Sequence, residues 1–207
     1  MSQIEDAELP LGLMASILAH TGRGCLLLRH SDREIISVGE VGPDARLTDR
    51  GERRALALAK ALQSPIGWAL SSPLHRCVRT ATLISQTSPE ISKLLGAPGA
   101  FVVDEDLGGQ VFAENGAEMV VRTHISGRTW GCLRSVEEGA RLLLGEIGER
   151  TMASTALGLA VSHDAIVMPV ISWLTGHRFA SDWLDPLDGV MIGEGVAYWR
   201  GERFGFC

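Results

Sequence analysis

The segment CLLLRHSDRE, residues 25–34, begins as an apolar run and ends in five residues of which four can carry charge. Its first half, CLLLR, is short, apolar on both faces, and bounded by Gly24 and the polar cluster after it. That is the pattern of a strand buried inside a parallel sheet. A solvated loop needs no such delivery of Arg29, His30 and Arg33. A site that holds an anion at the rim of a rigid sheet does.

Working outward, three further strands and a terminal hairpin are expected. GWALSS (67–72) reads as a second short strand, stopped by Pro73, and AFVVDE (100–105) as a third. ALGLAVSH (156–163) reads as a fourth buried strand, and GVMIGEGVAYW (189–199) as a hairpin turning at Gly193–Gly195. Helices fill the intervals. ELPLGLMASILAH (8–20) has an apolar face at helical spacing and ends by Gly22. RLTDRGERRALALAKALQ (46–63) starts at Thr48 as N-cap, and LHRCVRTATLISQ (74–86) follows the second strand. SVEEGARLLLGEIGER (135–150) opens on Ser135 with Glu138 at the capping-box position, and AIVMPVISWLTG (165–176) closes on Gly176. Strands alternating with helices call for a three-layer α/β/α sandwich around a mixed, mainly parallel sheet. The expected organisation is one domain over 1–207, with 1–22 as a helical extension. Residues 105–135, mixed in character and without clean periodicity, are expected to be a lid insertion with some helix.

The totals exclude several classes. A chain of 207 residues with 45% hydrophobic and 21% charged residues has the composition of an ordinary globular protein. A net charge of −6 argues against nucleic-acid binding, which draws on clustered Lys and Arg. An anionic substrate must therefore be drawn by a local pocket. Four scattered cysteines (Cys25, Cys77, Cys132, Cys207) without a C-x-x-C pair fit reduced thiols rather than a disulfide framework or a zinc site. The acidic start MSQIEDAELP lacks the basic residues of a signal peptide, and no apolar run is long enough to span a bilayer. A cytoplasmic location and no membrane partner are expected.

Two buried strands end in histidine, at His30 and His163. In open parallel sheets ligands bind beyond the carboxyl ends of the strands, so both imidazoles should meet at one rim. The GWALSS strand delivers Arg76 to the same rim at a helix start, whose free N–H groups favour an anion. The pooled site holds two histidines, Arg29, Arg33 and Arg76, with Asp164 beside His163.

RHSDR, SSPLHR and SHD, in this order and spacing, resemble the histidine phosphatase superfamily, which includes phosphoglycerate mutases and acid phosphatases. The resemblance covers roughly residues 24–200. It implies that His30 is the nucleophile and becomes phosphohistidine, that Arg29 and Arg76 grip the phosphoryl oxygens, and that His163 hydrogen-bonds the phosphoryl group. Fixed cationic donors suit a transferring group whose charge spreads over three oxygens. Neighbouring guanidiniums also keep the attacking imidazole neutral. Departures are informative. The family's R-H-G reads R-H-S, placing Ser31 where glycine allows close backbone approach to substrate. Arg33 and Ile36 stand where the mutase-like pattern has Thr and Asn. Arg33 instead matches the R-H-G-x-R of the acid-phosphatase branch and joins Ser31 as an expected substrate contact. The HD pair implies Asp164 as proton donor, with Asp104, Glu105 and Asp106 in reserve. The long insertions of phytases are absent, so the pocket is expected to be open.

The reading is a metal-independent phosphomonoesterase acting on a small phosphorylated substrate without cofactor. Alternatives are a mutase-like phosphotransferase, a metal-dependent phosphohydrolase with HSD and HD as ligands, and a non-catalytic anion-binding homologue. His75, His124 and His177 read as polar surface or lid residues, with His124 able to dip into the pocket. Trp130 is the tryptophan expected nearest substrate. A homodimer contact through the N-terminal helix or through WLDPLDG (183–189) is left open.

Overall fold

The computed structural model describes residues 9–20, 23–36, 42, 44–62, 64–128 and 130–206. The opening acidic stretch up to residue 8, the closing glycine of the first helix (Gly22) and Cys207 lie outside the described residues. The described elements are α1 (Leu11–Ala19), β1 (Gly24–Arg29), α2 (Asp49–Ala61), β2 (Ile66–Ser71), α3 (His75–Ser85) and β3 (Glu90–Ile91). A 3-10 turn (Lys93–Leu95) leads to α4 (Glu105–Ile125), α5 (Val136–Ala153), β4 (Leu157–Ser162) and α6 (Asp164–Thr175). Three strands close the chain: β5 (Gly189–Gly193), β6 (Val196–Trp199) and β7 (Glu202–Gly205).

The strands form one mixed sheet in the order β3-β2-β4-β1-β5-β6-β7. β3, β2, β4 and β1 run parallel, while β5, β6 and β7 continue it antiparallel. β1 sits in the middle and shows why its sequence is apolar on both faces. Cys25 and Leu27 pack into the core under α5 and α6, and Leu26 and Leu28 into the core under α1, α2 and α3. β4 alternates in the same way, with Ala160 on the first side and Leu159 and Val161 on the second. With helices on both faces, the α/β/α sandwich and its mixed, mainly parallel sheet are as expected.

The expected caps form. Thr48 Oγ1 accepts from Gly51 N, Ser135 and Glu138 make a full capping box, and Gly176 ends α6 in the left-handed conformation. Two expectations do not hold. AFVVDE is not a strand: the third strand is Glu90–Ile91, and Val102 makes only an isolated bridge to Leu133. The apolarity of AFVVDE serves burial instead, because Phe101 inserts into the core against α5 while Asp104 turns the chain and caps α4. The 105–135 stretch is mostly α4, broken where Gly116 takes φ 77°. Its glycines masked a helical pattern. Among the described residues, no helix is long and apolar enough to cross a membrane.

Candidate active site

The rim of the sheet is tied together by backbone before any side chain acts. His30 N donates to Ser162 O at 2.9 Å, Arg29 N to Asp188 O at 2.9 Å and Ser72 N to Val161 O at 3.0 Å. These bonds carry the β1, β2 and β4 ladders past their ends, so the residues following the three strands emerge side by side. The His30 and His163 rings meet edge to face with centroids 5.5 Å apart.

Hydrogen bonding assigns their tautomers. His30 Nδ1 lies 2.7 Å from Ser31 O, which can only accept, so Nδ1 carries the proton and Nε2 keeps its lone pair. Arg76 Nε donates to that Nε2 at 3.3 Å, and the other side of the same guanidinium lies 3.4 Å from His163 Nδ1. His163 Nδ1 is then an acceptor, and Nε2–H donates to Ser72 Oγ at 2.9 Å. Burial first, then the Arg29 and Arg76 charges, bring the His30 pKa down to about 3 against the opposing Ser31 hydrogen bond. Burial, followed by His30 and Arg76, holds His163 well below the ordinary histidine range. Both imidazoles are neutral at physiological pH.

Arg29 does not pair with Asp32, which is taken by Arg54 at 2.6 Å. Its guanidinium meets Asp164 Oδ2 at 3.0 Å and donates to Leu184 O, while its Nε is buried without a partner. Asp164 also accepts from Trp183 Nε1 at 3.1 Å and from Ala165 N at 2.9 Å. Burial pulls the Asp164 carboxyl upward, but Arg29, the indole N–H and the imidazole neighbours outweigh it and hold the group below the usual carboxylate range. It is an anion locked by three donors, a state with no proton to give. This goes against the expectation of Asp164 as proton donor. Arg33 and Arg76 are both held below the ordinary guanidinium range, by burial first and then by neighbouring guanidiniums. Crowded like charges in a half-dry site are relieved by a bound anion.

Ser31 departs from its expected role. Its hydroxyl donates to Gly51 O at 2.8 Å and its N–H to Thr80 Oγ1 at 3.1 Å, so the side chain is spent between α2 and α3, facing away from substrate space. Serine in place of glycine therefore leaves the pocket clear, and Ser31 contributes its carbonyl, which orients His30.

A cavity of about 650 Å³ opens over this cluster, with Arg29, His30, Arg33, Arg76, His163 and Asp164 at one end. Of the reserve carboxylates, Glu105 lines it at the first turn of α4. Asp104 is spent capping that helix, and Asp106 is exposed and not in the lining. His124, expected on the surface or in a lid, is buried and lines the cavity, with Nε2 2.9 Å from Arg134 O. His75 is exposed, and His177 is partly buried beside Asp182. Trp130 is not itself in the cavity lining: it packs behind the wall, with Val120, Cys132 and Leu133, where the apolar side of α4 takes it up.

Three contributors were not read from the sequence: Ser72, which fixes His163, and Trp183 with the Leu184 carbonyl, which fix Asp164 and Arg29. The doubled serine of SSP was the available sign for the first. WLDPLDG, considered above for a dimer contact, supplies the other two. Among the described residues no group of three His, Cys, Asp or Glu side chains is placed to hold a metal ion.

Residues 25–95 match the family model of the histidine phosphatase superfamily (branch 1). No curated protein matches the chain. Among solved structures it is similar to a mycobacterial glucosyl-3-phosphoglycerate phosphatase, with 17% identity over 86% of this chain and 91% of that one, at a TM-score of 0.55. A phosphoserine phosphatase mutant from Entamoeba histolytica in complex with phosphoserine gives 20% identity over 89% and 95%, at 0.57. A phosphoglycerate mutase from Bacillus anthracis gives 14% over 89% and 92%, also at 0.57. The matched segment runs from β1 through β2 and α3, and the fold of these two phosphatases and the mutase is shared along most of the chain.

Proposed function

We propose that the chain hydrolyses a phosphate monoester through a phosphohistidine on His30. One observation carries the reading: the His30 Nε2 lone pair is presented among three guanidiniums, its proton parked on Nδ1 against a backbone carbonyl. As the ester enters, Arg76 Nε–H passes from Nε2 to a phosphoryl oxygen; the freed Nε2 lone pair attacks phosphorus, a P–N bond forms, and the P–O bond to the alcohol breaks. Arg29, Arg33 and Arg76 hold the three equatorial oxygens, and His163 adds a hydrogen bond once its Nε2–H turns from Ser72.

The departing alkoxide needs a proton. We assign it to Glu105, the carboxyl that lines the cavity without an arginine partner among its described hydrogen bonds and ion pairs. Ionised by that transfer, Glu105 then takes a proton from the water that attacks phosphohistidine, releasing phosphate and restoring neutral His30.

The test is a screen of phosphorylated metabolites with wild type and His30→Ala in parallel. His30→Ala should lose at least ~10³-fold in turnover while its thermal midpoint hardly moves. Acid-labile label from a radioactive ester should appear on wild type alone. Equal phosphate release by the two proteins rules out the nucleophile. Recovery of an isomerised ester instead of free phosphate assigns a mutase, and loss of activity in EDTA a metal-dependent reaction.

A further inference from the structure

The cavity is chemically divided. Beyond the cationic end its wall is built mainly from α4 and the loops beside it, with Phe101, Phe112, Val120 and Leu133 among the larger apolar groups. Along α4 the residues that face it include Gly108, Gly109, Ala113, Gly116 and Ala117, at spacings that keep one side of the helix small. Small side chains there, with the break at Gly116, leave volume between α4 and the histidine pair. At about 650 Å³ the space lies in the range of sites that enclose a whole organic ligand.

Polar groups on this wall are few. His124 turns Nε2 to the Arg134 carbonyl, and its imidazole is held below the ordinary histidine range by burial, so it offers no cation. Glu105 is anionic or a proton donor. Among the described lining residues the cations are the three guanidiniums at the phosphoryl end. Those are matched by the three phosphoryl oxygens. A carboxylate on the substrate would have no further partner, and a row of sugar hydroxyls would lose its water against hydrocarbon without replacement bonds.

We infer that the ester taken here is the phosphate of an apolar alcohol, its hydrocarbon group lying along α4, and not a phosphorylated carboxylic acid or sugar. The inference rests on the phosphohydrolase reading for its phosphoryl end, and on the cavity lining for its organic end.

Ethyl, butyl, hexyl and octyl phosphate share nearly equal leaving-group acidity, so a length series isolates the apolar contact. kcat/KM should rise about fourfold per methylene until the cavity is filled, with 3-phosphoglycerate and phosphoserine well below hexyl phosphate. Ala117→Phe should flatten the series. Binding is read separately, by calorimetry of octylphosphonic acid against phosphonoacetic acid on wild type, with the first tighter by tenfold or more.

A flat series in wild type, or preference for the carboxylated esters and phosphonates, overturns the inference, and His30-dependent phosphate release would still stand. Tight octylphosphonate binding without hydrolysis of any ester has the opposite meaning: the apolar end is upheld and the hydrolase reading falls. If Ala117→Phe does not fold, the wild-type series and the two phosphonates decide alone.

Discussion

Two carboxylates face one pocket at the residue scale, and they differ in their partners. Asp164 is saturated by Arg29, Trp183 and the start of α6, whereas Glu105 lines open space. Glu105→Gln should lower kcat by about 10²–10⁴-fold for alkyl esters and far less for p-nitrophenyl phosphate, whose leaving group needs no proton. Asp164→Asn should act first on stability, with a loss of about 3 kcal/mol read in urea, because Arg29 loses its partner in a mostly buried pair. If Asp164→Asn instead reproduces the leaving-group dependence and Glu105→Gln does not, the two roles must be exchanged. Ser31→Gly should cost about 1 kcal/mol through the Gly51 bond and keep kcat, checked by denaturant midpoint and turnover together. His30, Arg29, Arg76 and His163 were legible in the sequence because strand ends in a parallel sheet share a rim. The direction of a side chain at that rim was not, so Ser31 was placed on the substrate and Asp164 was credited with a free proton.

Elements decide how firmly that rim is built. The turn after β3 brings Gly96 against His163: a Cβ there would sit 2.8 Å from Ser72 Oγ and 3.1 Å from the His163 ring, at a φ of +140°. Gly96→Ala should therefore break the Ser72–His163 bond and lower kcat by at least ~10-fold, with KM less affected. Unchanged kcat would show that Ser72 is not what orients His163. The helices with clear capping chemistry, α2 and α5, were readable because their stop and start signals are local. AFVVDE and α4 were not. Phe101 is apolar for a tertiary reason, its fit over Gly139 of α5, and no local pattern states that. Gly108, Gly109 and Gly116 of α4 line the cavity, so residues that weaken its helical signal are also ones that leave space beside it.

The whole molecule responds to pH through three imidazoles kept neutral in its interior, His30, His163 and His124. Each has its folded pKa below the ordinary histidine value of about 6.5, so between that value and the folded one the unfolded chain binds more protons. The stability they contribute is complete above about pH 6.5 and is lost as pH falls, for His30 down to about 3. Thermal midpoints should drop steadily from pH 7 to 4, and the His30 ring nitrogens should keep neutral-form NMR shifts to below pH 5. A protonation step for His30 near 6.5 would contradict the assignment. The central place of β1 has a separate bearing on biosynthesis. Both of its neighbours, β4 and β5, belong to the last third of the chain. While a ribosome is still making that portion, the first strand has no edge to join, and its leucines must wait exposed or be shielded. A nascent polypeptide halted before residue 157 should thus carry His30, the proposed nucleophile, without its His163 partner and release no phosphate, an outcome that arrested chains assayed on the ribosome would check.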